Sequence, residues 1–212
     1  MNSPLQTNTT PKSPTARLSA QISEISYDTL DQVTISAVKR LIADGVAVAV
    51  AGSKEVPPAI VAEYVREMAG GPFASVWGFG FRTTPGYAAY TNAVSMHVLD
   101  FEPMSNPPTH ALSPTVPVAL ALAEARHADG REIIAACAKG FEMQGRVLLA
   151  ANPARGSLPF HTPGVVGVMG SAVAAAHVLH LNPSQLANAL GMAISVALNA
   201  PIAPPHYGVF RM

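Results

Sequence analysis

Residues 164–181 read GVVGVMGSAVAAAHVLHL, a nearly unbroken apolar run, and it limits the fold more than any other stretch. A bilayer-spanning helix needs roughly 20 consecutive apolar residues, so this run either crosses a membrane or is a helix buried on several sides. Three features favour burial. The run is rich in Ala and Gly instead of Leu and Ile, it carries His177 and His180, and no Lys or Arg flanks it to set an orientation. Gly164, Gly167 and Gly170 recur one turn apart, which would let a neighbouring helix approach closely. A helix of this kind must be wrapped by others, so a helical bundle is expected.

The rest of the chain supplies those partners. Residues 31–51 predict a helix with Val38, Leu41 and Ile42 on one face and Gly52 as its stop. Pro57-Pro58 opens a second helix, where a missing N–H is harmless, and Gly70-Gly71 ends it. Residues 74–81 (ASVWGFGF) predict a short extended segment. Thr84-Pro85 starts a helix to about Leu99, Ser113-Pro114 caps and opens one to about Ala128, and residues 130–151 form another, with Glu142 and Arg146 spaced for an i,i+4 pair. Asn182-Pro183 caps the last helix, running to about Leu198. The expected fold class is all-α, with short connections and no internal repeat.

Charge and cysteine content narrow the function. Hydrophobic residues make up 49% of the chain and charged ones 12%, against about 25% charged in ordinary soluble domains. Thirteen basic and thirteen acidic side chains cancel, so the chain has no electrostatic footprint for nucleic acid. The lone Cys137 excludes an intrachain disulfide, fits a reducing compartment and reads as a small buried hydrophobe. Residues 1–19 are rich in Ser, Thr and Pro and lack acidic residues; the expectation is a disordered tail, the alternative a mitochondrial transit peptide spoiled by Pro4, Pro11 and Pro14. No continuous apolar signal region is present. The expected location is cytoplasmic, with mitochondrial as the alternative. No phosphate loop or dinucleotide fingerprint occurs: Gly78-Phe79-Gly80 lacks the third glycine.

In a chain so poor in charge, two polar islands stand out. The first, within residues 92–124, holds His97, Asp100, Glu102 and His110 on a loop stiffened by Pro103, Pro107 and Pro108. The second, residues 156–164 (GSLPFHTPG), presents His161 at the mouth of the glycine-rich helix. The two are expected to face one another across a pocket for a small anion. Abstracting a proton beside a carboxylate needs a base near neutrality, which His supplies. It also needs donors for the carboxylates, which the helix start beside His161 could offer as unpaired N–H groups. His97 and Asp100, three apart, share a helix face; His97 equally fits plain packing between helices, and Asp100 a turn. His177 and His180 read as structural, near a helix C-terminus. A metal-dependent hydrolase using His97, Asp100, Glu102 and His110 is a further alternative, without an HExxH spacing to support it.

The runs AYTNAVSMHVLDFEPMSNPPTHALSPTVPVALALAEA, GFEMQGRVLLA, FHTPGVVGVMGSAVAAAHVLHL and LANALGMAIS, in this order, resemble the MmgE/PrpD family, which includes 2-methylcitrate dehydratase, cis-aconitate decarboxylase and iminodisuccinate epimerase. The resemblance covers about residues 22–198. It implies a large helical domain, a smaller α/β domain with the active site in the cleft between them, dimers, no cofactor, and proton transfer next to a carboxylate of a small di- or tricarboxylate, followed by loss of water or carbon dioxide. By motif position it assigns catalysis to Asp100, His110 and His161. We place His97, Glu102, Met104 and Gly164 in substrate binding, with no metal site.

Departures from the family pattern bear on specificity. Glu102 and Pro103 replace the usual second and third acidic residues, and Met104 stands where Thr often follows. The family's later pocket lysines have no counterpart, because no Lys follows Lys139, and no α/β segment is present. The expected organisation is therefore a tail (1–20), an N-terminal helical domain (21–199) and an irregular C-terminal tail (200–212), with the chain corresponding to the N-terminal part of a longer enzyme. A catalytically inactive helical domain that keeps a dimerising or binding role is the alternative to a lyase or isomerase.

Overall fold

The computed structural model describes residues 13–68, 70–151 and 161–197. Among them lie eight α-helices: α1 (Pro14–Glu24), α2 (Gln32–Gly52), α3 (Val56–Glu67), α4 (Pro85–His97), α5 (Leu112–Arg126), α6 (Gly130–Ala151), α7 (Thr162–Val178) and α8 (Pro183–Ala197). A two-stranded antiparallel hairpin, β1 (Ala74–Val76) and β2 (Phe81–Thr83), sits between α3 and α4. The chain is thus predominantly helical. Among the described residues the one departure from all-α is this hairpin, where a single extended segment was expected. Its turn places Gly78 and Gly80 at positive φ, which glycine adopts without steric cost. Buried Asn92 of α4 holds the hairpin, accepting from Trp77 N–H at 2.9 Å and donating to the Ser75 carbonyl at 2.9 Å.

Local chemistry sets most helix ends. Asp31 accepts from Thr34 N–H at 2.6 Å and starts α2, satisfying one of the orphan donors of a first turn. Asn182 and Gln185 exchange reciprocal bonds at the start of α8. At the other end of the chain, Ser13 caps α1 through Ala16 N–H at 3.1 Å. A helix therefore occupies part of the stretch expected to be tail, anchored by buried Ile22 and Ser19. Residues 1–12 and 198–212 lie outside the described residues. The expected Ser113 cap is corrected: α5 begins two residues earlier, with Ala111 at its N-cap and no side-chain cap bond.

α7 lies at the centre, packed against α5, α6 and α8. A Cβ on Gly170 would come within 2.5 Å of Gln144 Nε2 on α6, and one on Gly167 within 2.8 Å of Pro114 Cγ on α5. Close helix approach therefore requires glycine at these two positions. Gly164, expected to join them, is exposed. Polar ties lock the same helices: Gln144 Nε2 donates to the Ala111 carbonyl (3.1 Å) and to Thr115 Oγ1 (2.7 Å), and Ser171 Oγ donates to the Pro114 carbonyl (2.6 Å). Met96, Met143 and Leu190 are fully buried, each worth about 1.5–3 kcal/mol in removed apolar surface. Cys137 is buried. No helix among the described residues is long and apolar enough to cross a membrane.

Candidate functional site

Four segments deliver the candidate side chains. α4 ends at His97, and Asp100 follows in the left-handed region (φ 56°), a conformation that Asp tolerates better than most residues. Its N–H bonds the His97 carbonyl at 3.0 Å, turning the chain into the loop that carries Glu102 and His110. His161 arrives separately, as the N-cap residue of α7.

Glu102 organises the cluster. Its side chain has no exposed surface, and burying an ionised carboxylate is expensive unless it is paired. Here Oε2 accepts from Ser113 N–H at 2.7 Å, and Oε1 lies 2.9 Å from His97 Nδ1. Ser113 is in the first turn of α5, whose N–H groups have no partner within the helix, so the carboxylate meets an orphan donor and the positive end of the helix dipole. This interaction takes the place of the missing side-chain cap. His110 Nδ1 lies 3.5 Å from Glu102 Oε1, beyond hydrogen-bond range, and makes no hydrogen bond among the described residues. The other ring nitrogen, Nε2, stands 3.1 Å from Asp100 Oδ1, whose side chain is largely exposed.

The three imidazoles gather around His97. Its ring meets His110 edge-on, with centroids 4.8 Å apart, and His161 at 6.2 Å. A hollow of about 290 Å³ opens beside them, lined by Tyr90, Val94, His97, Ser113, His161 and Gly164 among others. Neighbours push the histidines in opposite directions. The hydrogen bond to Glu102 raises the His97 pKa against the opposing effect of burial. Burial, then the charges of His97 and His110, lower that of His161, with Asp100 opposing. Near neutral pH the site therefore holds one imidazole inclined to keep a proton and another inclined to release it.

Of the remaining expected residues, Met104 is exposed on the loop. Gly164 borders the hollow, but its N–H is already bonded to the His161 carbonyl at 3.1 Å. Pro163 has no N–H, so the start of α7 offers fewer unpaired donors than expected. The Ser113 backbone N–H was not anticipated, because an amide gives no signal in side-chain chemistry. A larger hollow of about 560 Å³ near Trp77 also contains a carboxylate, Glu124. That carboxylate is occupied by Ser75 N–H (2.7 Å) and Arg82 (2.9 Å).

His97, Glu102 and His110 also place one potential metal-ligand atom each within 4.8 Å of one another. Ligand atoms about 2.1 Å from a zinc ion cannot be more than roughly 4.2 Å apart. The 2.9 Å His97–Glu102 separation is that of a direct hydrogen bond. Of the trio only His97 and Glu102 are hydrogen-bonded to one another, and a zinc ion would have to rearrange the three ligand atoms.

Comparison with known proteins places residues 16–200 within the MmgE/PrpD N-terminal domain. The chain is 34% identical over 199 residues to cis-aconitate decarboxylase of Mus musculus and, equally, to that of Homo sapiens, covering 91% of this chain in each case. It spans about 40% of the length of these relatives.

Proposed function

Because this chain belongs to the MmgE/PrpD family, we propose that its histidine cluster serves a cofactor-independent lyase or isomerase acting on a small di- or tricarboxylate. The observation that carries the proposal is the packing of His97 against both His110 and His161, with Glu102 on His97, Asp100 on His110, and His97 and His161 lining one hollow. The relatives named for cis-aconitate decarboxylation support a substrate of this class.

In this reading, His97 in its protonated form holds a substrate carboxylate at the hollow. His161 in its neutral form takes a proton from the carbon next to that carboxylate. His110, paired with Asp100, is the second proton carrier, returning a proton to the substrate or to the leaving group. Electrons from the broken C–H bond pass into the adjacent carboxylate as enolate-like charge, and then expel water or return to carbon. Decarboxylation uses the same groups in another order: the C–C bond supplies the electrons and a histidine supplies the proton. Glu102 touches no substrate in this scheme; it acts as a positioning residue through His97 and Ser113. A homodimer is part of the proposal, and Val56, Ile60, Tyr64 and Met68 form an exposed apolar row on α3 and its C-cap that a second copy could cover. Light scattering that finds only monomer at high concentration would remove that part.

The test combines binding with turnover. Purified chain should shift His97 and His161 imidazole signals on addition of cis-aconitate or 2-methylcitrate, and His161→Ala should abolish any turnover while retaining the fold. Binding without turnover would favour a helical domain with a binding role. Stoichiometric zinc in purified protein would favour the metal reading, and no response to either acid by folded chain would overturn the assignment.

A further inference from the structure

A second group of basic side chains gathers at the opposite end of α7. His161 and His177 lie sixteen positions apart on this helix, or about 24 Å at 1.5 Å per residue, so the two sites share no residue. Between α1, α6 and α7 lies a hollow of about 230 Å³ bordered by Ser23, Ser26, Lys139, His177, His180 and Leu186 among others. That is room for several groups of about 30 Å³, the share of one water molecule.

Lys139 stands out because it is 6% exposed, rare for a lysine that is not paired. Its Nζ donates to the Ser23 carbonyl at 3.4 Å, a long bond that uses one of three donors. Among the described residues no carboxylate is within ion-pair distance of it. Glu132, also on α6, is engaged with His180 Nε2 at 3.3 Å instead. Burial lowers the Lys139 pKa, with no acidic neighbour acting in the other direction. His177 is held down to about 4 by burial and by the charges of Lys139 and His180. A buried ammonium without a counter-charge is costly, and an anion entering the hollow would supply one.

We propose that this hollow is a second binding site, for a small oxyanion (a carboxylate or a phosphate), gripped by Lys139 Nζ with His177 and His180 alongside. The proposal does not depend on the function assigned to the histidine cluster. Isothermal titration of the chain with malonate, and separately with inorganic phosphate, identifies which oxyanion class it takes. Binding should persist in His161→Ala, which disables the other site, and weaken by about 30-fold or more in Lys139→Met, as expected when one partner of a buried charge pair is removed. Should Lys139→Met not fold, a Lys12→Arg, Lys39→Arg, Lys54→Arg variant leaves Lys139 as the sole lysine. Its 13Cε signal should then shift saturably with one of the two anions. Equal affinity in folded Lys139→Met, or a 13Cε signal that neither anion moves, would overturn the proposal.

Discussion

Replacing Glu102 with Ala tests whether a single buried carboxylate holds the site together. The substitution leaves Ser113 N–H without its 2.7 Å acceptor in a buried position, a loss of about 1–3 kcal/mol. It also removes the bond to His97 at 2.9 Å, where hydrogen bonds to charged groups contribute about 1.5–3 kcal/mol. His97 is partly exposed and recovers some of this from water, so the expected destabilisation is about 3–5 kcal/mol. That is a large share of the roughly 5–15 kcal/mol that stabilises a domain. Glu102→Gln keeps one acceptor for Ser113 and should lose only about 1–2 kcal/mol. In that variant the His97 pKa should fall, because the bond that raises it has lost its charge while burial still lowers it. A raised His97 pKa stabilises the fold below its unfolded value near 6.5, and this contribution fades as pH rises through the folded value. The Ala penalty should therefore be larger near pH 6 than near pH 8.5. Urea denaturation of both variants at the two pH values, with an imidazole NMR titration of Glu102→Gln, measures all of this. An Ala penalty below about 0.5 kcal/mol, within the range of ordinary surface substitutions, or an unchanged His97 titration in the Gln variant, would refute the account.

Gly170→Ala should destabilise by about 1–3 kcal/mol, because its Cβ would displace Gln144 from the α5–α6 tie; urea denaturation checks it, and an unchanged midpoint would show that α6 and α7 can separate freely. His177, held down to about 4 from 6.5, makes the unfolded chain bind more protons between those values. Stability from this group is thus complete above about pH 6.5 and is lost as pH falls towards 4, by up to about 2 kcal/mol after discounting for partial exposure. His161 adds in the same direction and His97 opposes it. Thermal melts across this range should show wild type losing stability relative to His177→Gln as pH falls towards 4.

Much of the framework follows from short-range chemistry that a sequence displays directly. Asp31 before α2, Pro57-Pro58 at the start of α3 and Asn182-Pro183 at that of α8 act within one turn of themselves, so their effects are local and visible in order along the chain. The apolar run around Gly167 and Gly170 likewise required close burial whatever surrounded it. Its membership in the MmgE/PrpD family was also legible, in motifs kept in a fixed order. The α5 start was misplaced because the acceptor of Ser113 N–H is not Ser113 or any neighbour but Glu102, eleven positions back across a loop. Nothing local announces that pairing. In the same way the burial of Lys139 depends on α1, more than a hundred positions earlier, whose Ser23 carbonyl lies over it. Sequence sets the hydrogen-bonding and steric limits of each segment. Whether a charged group ends in water, in an ion pair or alone in a hollow is decided by which distant segments exclude the solvent around it, and only the folded chain brings those together.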